Sequence, residues 1–263
     1  MITRTITGII MLITTVFLFY IGNLPFTIFI TLLSILATKE LINIYQLNNY
    51  KTQNSLTYIL VSLIVFSTSF ESIALLWTSP FLLLSLGSIC ILHCYELAKK
   101  NIILKNQISI AYIKIILLIS SFAPLFIYIR NLESGLLLLF FISIVIWACD
   151  TGAYFSGKTI GKNPLNSISP NKTIEGSLAG IIFGILAGII FSFYSGLPIY
   201  IYAKIAFFIT ITAQLSDLYE SLLKRTANIK DSSNILPGHG GILDRIDSFI
   251  LTLPTLHIIT TLL

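Results

Sequence analysis

Charge is what this sequence has least of. Only 10% of its 263 residues are Asp, Glu, Lys or Arg, against roughly a quarter in soluble domains. With 56% hydrophobic residues and a mean hydropathy of +0.92, the chain holds more apolar surface than a soluble core could bury, so the bilayer must bury the rest. Cysteine is scarce as well. Cys90, Cys94 and Cys149 all lie in apolar runs, and their odd number excludes a complete set of internal disulfides. In CILHC, Cys90 to Cys94, two thiols flank His93; the sharp reading is a soft-metal fragment, and the bland reading, which we prefer, is buried small residues. No small-residue cleavage site follows the first apolar run, MITRTITGIIMLITTVFLFYIGN, so a retained helix is expected there.

Apolar runs recur almost end to end. They predict an all-α polytopic membrane protein with about nine spans, near residues 5–22, 24–38, 56–70, 72–94, 108–129, 134–149, 174–195, 198–216 and 248–263. Residues 1–130 hold about five N-terminal spans, and residues 131–263 form a C-terminal region that carries the two densest polar loops. Lys and Arg accumulate in cytoplasmic loops. With the N-terminus inside, all 16 cations except Arg130, Lys114 and Lys204 fall on the inner side, and the last two sit in apolar runs from which a long stem can snorkel. The expected location is the inner (plasma) membrane, multi-pass, with those loops facing the cytoplasm.

The first polar loop runs from Asp150 to Thr173, DTGAYFSGKTIGKNPLNSISPNKT; the second, Lys224 to Ser248, is KRTANIKDSSNILPGHGGILDRIDS. Two spans separate them, which returns the chain to the same face. The first of these spans carries Gly176, Gly180, Gly184 and Gly188, continued by Ser192 and Gly196. Such a stripe permits close helix packing, inside the chain on the bland reading or across a homodimer on the sharper one. The next span ends with Gln214, Asp217, Ser221 and Lys224 on one helix face. Asp217, at the membrane boundary, needs a partner, water or a metal; the bland reading is an ion pair with Lys224 or Arg225. Downstream, the turn of Pro237, Gly238, His239, Gly240 and Gly241 brings backbone amides close to an anion, with Asp244, Arg245 and Asp247 beside it. Carboxylates for a hard ion such as Mg²⁺, interleaved with cations for phosphate charge, suit a metal-dependent reaction on a phosphate ester.

At these residues the sequence resembles the phosphatidate cytidylyltransferases, or CDP-diacylglycerol synthases. The resemblance rests on Ser221, Lys224, Arg225, Lys230, Asp231, Ser233, Pro237, His239, Gly240, Gly241, Asp244, Arg245 and Asp247, and upstream on DTGAYFSGKTIGK and SPNKTIEG. It covers about residues 147–250; the first half adds matching hydropathy and Glu40. Ser216 departs from the family, which commonly has Gly there; Asn171, where Lys is common, and Ile174 depart too.

The resemblance implies transfer of CMP from CTP to phosphatidate drawn from the bilayer, giving CDP-diacylglycerol and pyrophosphate, with Mg²⁺ as cofactor and a second cation left open. It implies Asp217 and Asp244 as metal ligands, and Lys224 and Arg245 beside them in catalysis. Substrate contacts fall to Lys172, Ser169, Thr173, Ser221, Arg225, Lys230, Asp231, His239 and Asp247. His239 would donate to a phosphate or brace the turn. No nucleic-acid partner is expected. Two alternatives stay open: a CTP-dependent lipid kinase, and an ion-coupled transporter using Glu40, Glu96, Glu175 and Asp217.

Overall fold

The computed structural model describes residues 2–70, 107–166 and 168–262. The expected span 72–94, with Cys90, His93, Cys94 and Glu96, lies outside the described residues. Among the described residues the fold is all-helical, with isolated bridges at Pro164–Thr173 and Leu236–Gly240 as its only extended pairings. The chain divides into two compact units, one of residues 1–132 and 227–246, the other of residues 133–226 and 247–263.

The first unit contains α1 (Ile2–Ile21), α2 (Asn23–Ile44), α3 (Lys51–Ser67), α4 (Gln107–Asn131) and the short α8 (Leu243–Ile246). α1 and α2 are split at Gly22, whose φ of 61° opens the chain for a new helix. Arg130, at the end of α4, donates through Nε to Phe19 O at 2.6 Å and through Nη2 to Tyr20 O at 3.0 Å, capping the carbonyls that α1 leaves open. Down α2 the hydroxyls of Thr27, Thr31, Ser34 and Thr38 each donate to the carbonyl four residues back, which satisfies them without water. Lys114 on α4 is 3% exposed, so it does not snorkel as its sequence position suggests.

The second unit contains α5 (Gly135–Ile160), α6 (Ile174–Ser195), α7 (Ile199–Thr226) and α9 (Phe249–Leu262). The glycine stripe is spent here. A Cβ at Gly180 would lie 2.8 Å from Cys149 O, one at Gly184 3.2 Å from Val145 O, and one at Gly188 2.7 Å from Ala206 Cβ, so the small residues let α6 press against α5 and α7. α6 ends at Gly196, in the left-handed region at φ 68°, with Leu197 N donating to Ser192 O at 2.9 Å. Ser216 Oγ on α7 donates to Asp247 O and accepts from Leu251 N at 3.1 Å. The serine that departs from the family pattern thus ties α7 to the start of α9.

Six described helices are long and apolar enough to cross a membrane: α1, α2, α4, α5, α6 and α7. The expected nine are not reached among the described residues. α3 has 17 residues and α9 has 14, shorter than a perpendicular crossing needs. Lys204, the other cation in an apolar run, stands 4.1 Å over the Tyr200 ring.

Candidate active site

In the second unit the first polar loop folds back on itself to present Lys172. Leu165 N donates to Lys172 O at 2.7 Å, Lys172 N to Ser169 O at 3.0 Å, and Ile174 N to Asn163 O at 2.9 Å. Glu175, in the first turn of α6, accepts from Lys162 N, Asn163 N and Asn163 Nδ2, fixing the other limb. Thr173 is the N-cap of α6, its hydroxyl accepting from Gly176 N at 3.1 Å.

The loop and helices α5, α6 and α7 enclose a cavity of about 510 Å³, lined among others by Asp150, Lys158, Ser169, Lys172, Thr173 and Asp217. Lys172 forms an ion pair with Asp217. That partner is neither Lys224 nor Arg225, the pair that the bland reading offers. Lys224 instead pairs with Glu220 one helical turn back, at 2.6 Å. Gln214 holds the cavity's inner wall, donating through Nε2 to Ser177 O at 3.0 Å and accepting from Ser177 Oγ.

Asp217, Glu220 and Asp247 each place a carboxylate oxygen within 4.8 Å of the others. Lys172 and Lys224 already relieve part of the repulsion among these carboxylates, and their all-oxygen donor set suits a hard divalent ion that could take the lysines' place. The residues therefore fit a metal. Glu220, 0% exposed, is absent from the sequence reading; its signal was the i, i+3 spacing from Asp217 on one helix face. Asp150, Tyr154, Lys158 and Gln214 also line the cavity and were not among the expected contacts. Ser221 is half-buried and Arg225 exposed on α7.

The remaining site residues belong to the first unit. Leu236 N donates to Gly240 O and His239 N to Leu236 O, each at 2.9 Å, closing the turn with Gly238 and Gly240 at φ 76° and 82°. Asp244 is buried, and its Oδ2 accepts from Gly241 N at 2.8 Å, Ser232 N at 3.0 Å and Ser232 Oγ at 3.0 Å.

Under the turn lies Glu40 of α2, 0% exposed. It accepts from Ser233 Oγ at 2.6 Å, Leu243 N at 2.7 Å and Ile242 N at 2.8 Å, and shares the single Ser232 hydroxyl proton, at 2.9 Å, with Asp244 Oδ2. A Cβ at Gly241 would meet Glu40 Oε1 at 2.5 Å, so this glycine serves close approach. Two of the four carboxylates named for ion coupling, Glu40 and Glu175, are thus occupied in holding loops. His239 Nδ1 lies 2.8 Å from Thr7 Oγ, which also donates to Pro237 O at 3.0 Å. Burial first, then the charges of Arg245 and Arg4, hold the His239 pKa below its ordinary value. Lys230, Asp231 and Arg245 are exposed.

The model of the cytidylyltransferase family matches residues 2–263. A protein of Bacillus subtilis (strain 168) named phosphatidate cytidylyltransferase is 37% identical over 263 residues, covering 98% of this chain and 97% of its own. Proteins of the same name from Staphylococcus haemolyticus (strain JCSC1435) and Staphylococcus aureus (strain COL) are 34% and 32% identical, each covering 97% of both chains. This chain belongs to the cytidylyltransferase family.

Proposed function

We propose that the protein transfers CMP from CTP to phosphatidate, releasing pyrophosphate and forming CDP-diacylglycerol for phospholipid synthesis. A phosphate oxygen of phosphatidate forms a bond to the α-phosphorus of CTP while the bond from that phosphorus to the bridging oxygen of the leaving pyrophosphate breaks. The attacking oxygen is already anionic near neutral pH, so no strong base is needed, and positioning with charge stabilisation carries the rate. The observation that supports this best is the meeting of Lys172 and Asp217, from two separate motifs, on one cavity of the second unit.

Asp217, with Glu220 and Asp247, would hold Mg²⁺, which when bound neutralises phosphate charge and orients the leaving group; a second cation remains open. Lys172 and Lys224 offer positive charge to the triphosphate, and Ser169, Thr173 and Ser221 offer hydroxyls. In the first unit, Lys230, Arg245 and His239 are proposed substrate contacts, with Asp231 assisting. Asp244 keeps the metal-ligand role that the resemblance implies, alongside its hold on the glycine turn. The polar loops are proposed to face the cytoplasm from the plasma membrane, where CTP is found. Cysteines placed at Asn163 and Ser232 should then be labelled only from that side.

The test is purified protein with phosphatidate in detergent, Mg²⁺ and CTP labelled in the cytidine. Labelled lipid with pyrophosphate release is expected. CDP release with an unlabelled phosphorylated lipid would mean a kinase, and no labelled lipid from folded protein would overturn the reading.

A further inference from the structure

The first turns of α1 dock onto the glycine turn of the first unit. Arg4 packs so closely there that a Cβ at Gly238 would lie 3.3 Å from Arg4 Cα, and Thr7 bonds both Pro237 O and the His239 ring. Between them is a cavity of about 470 Å³ lined by Arg4, Thr5, Gly8, Ile9, Leu12 and His239. One end is cationic and hydroxylated. The other is apolar and continues along α1 through exposed Ile13 and Phe17.

We infer that this cavity binds the acceptor lipid, with Arg4 on its phosphomonoester and the face of Gly8, Ile9 and Leu12 along an acyl chain. The inference rests on the proposed transfer to phosphatidate and assigns the lipid a place. A guanidinium meets a phosphate dianion with paired N–H donors, the geometry that Arg supplies and Lys lacks. The nucleotide is the other phosphate source, but Ile9 and Leu12 offer a ribose or pyrimidine no polar partner, whereas an acyl chain matches them. Gly8 leaves the His239 side of the cavity free of a side chain; a Cβ there would stand in ordinary contact with His239 Nε2, at 3.4 Å.

Initial rates in mixed micelles, varying phosphatidate and CTP separately, test this on the full-length protein. Arg4→Ala should raise KM for phosphatidate about tenfold or more, with KM for CTP and the rate at saturating lipid within about twofold of wild type. Arg4→Lys should restore only part of the loss. Gly8→Leu, which fills the cavity without touching charge, should also raise KM for the lipid. Lys51→Ala, removing an exposed cation from α3 of the same unit, should leave both constants unchanged. Unchanged KM for phosphatidate in Arg4→Ala, a rise in KM for CTP instead, or an equal effect from Lys51→Ala would overturn the inference. Failure of wild type to make CDP-diacylglycerol would instead overturn the reaction on which it rests.

Discussion

The two units solve the problem of charge near a membrane in opposite ways. The second unit uses side chains on long helices: Lys172 against Asp217, Lys224 against Glu220, with Asp247 completing a carboxylate cluster. The first unit uses backbone amides, gathered under a glycine turn by two buried carboxylates, Glu40 and Asp244. The second arrangement can exchange one partner for another, a lysine for a metal or a phosphate. The first is less free to do so, because Glu40 and Asp244 Oδ2 accept from amides and hydroxyls that would be orphaned if they left. The buried carboxylate Glu40 therefore serves to hold a shape, Asp244 adds that hold to its proposed metal-ligand role, and the carboxylates of the second unit are freer for chemistry.

The largest expected effect separates these roles. Asp217→Asn should lower turnover at least about a hundredfold while leaving the melting temperature unchanged, because it removes a ligand charge at nearly constant volume. Asp244→Ala, which removes the oxygen that accepts from Gly241 N and Ser232 N, should lower turnover comparably but also lower the melting temperature. Equal melting temperatures for the two variants would erase the contrast. Next comes Glu40→Gln, which replaces a two-oxygen acceptor facing four donors with one oxygen and a donor. A stability loss of about 3 kcal/mol is expected in denaturant titration, with kcat falling more than either KM.

Lys172→Ala and Lys224→Ala should each lose about tenfold to a thousandfold in rate even at saturating phosphatidate, as cations that meet growing charge in the transition state. A loss cured by more lipid would instead mark a headgroup contact. The smallest effect is on His239. Its folded pKa lies below the ordinary value of 6.5, so the folded state prefers the neutral ring. That preference contributes stability above the unfolded pKa, and it is lost as pH falls through the lower folded value. Wild type should therefore lose slightly more stability than His239→Gln between pH 6.5 and the onset of general acid unfolding. Parallel pH profiles would show that His239 makes no such contribution.

How much of this was legible beforehand follows from range along the chain. The helices were readable because a span is a local run of apolar residues, and the first motif's Lys172, Ser169 and Thr173 were readable because their spacing matches a known pattern. The partner of Asp217 was not. Its local neighbours Lys224 and Arg225 are the partners that the bland reading offers, whereas the cation that reaches it sits 45 positions away on a folded loop. Glu40 stands out in the sequence, but its hold on the glycine turn does not, since the donors that it meets lie about two hundred positions downstream. The glycine stripe could be read as small residues needing close approach, but which helix approached was a matter of tertiary packing. The count of nine spans is not confirmed among the described residues, where α3 and α9 are too short for a perpendicular crossing.

The central claim, that Asp217, Glu220 and Asp247 hold the reaction's divalent ion, is tested most directly by titrating the purified protein with Mn²⁺, an Mg²⁺ surrogate, and following free metal by electron paramagnetic resonance. Wild type should show one saturable site that weakens at least about tenfold in Asp217→Asn and in Glu220→Gln, while Asp231→Asn titrates like wild type. Identical titration curves for wild type and Asp217→Asn would contradict the account.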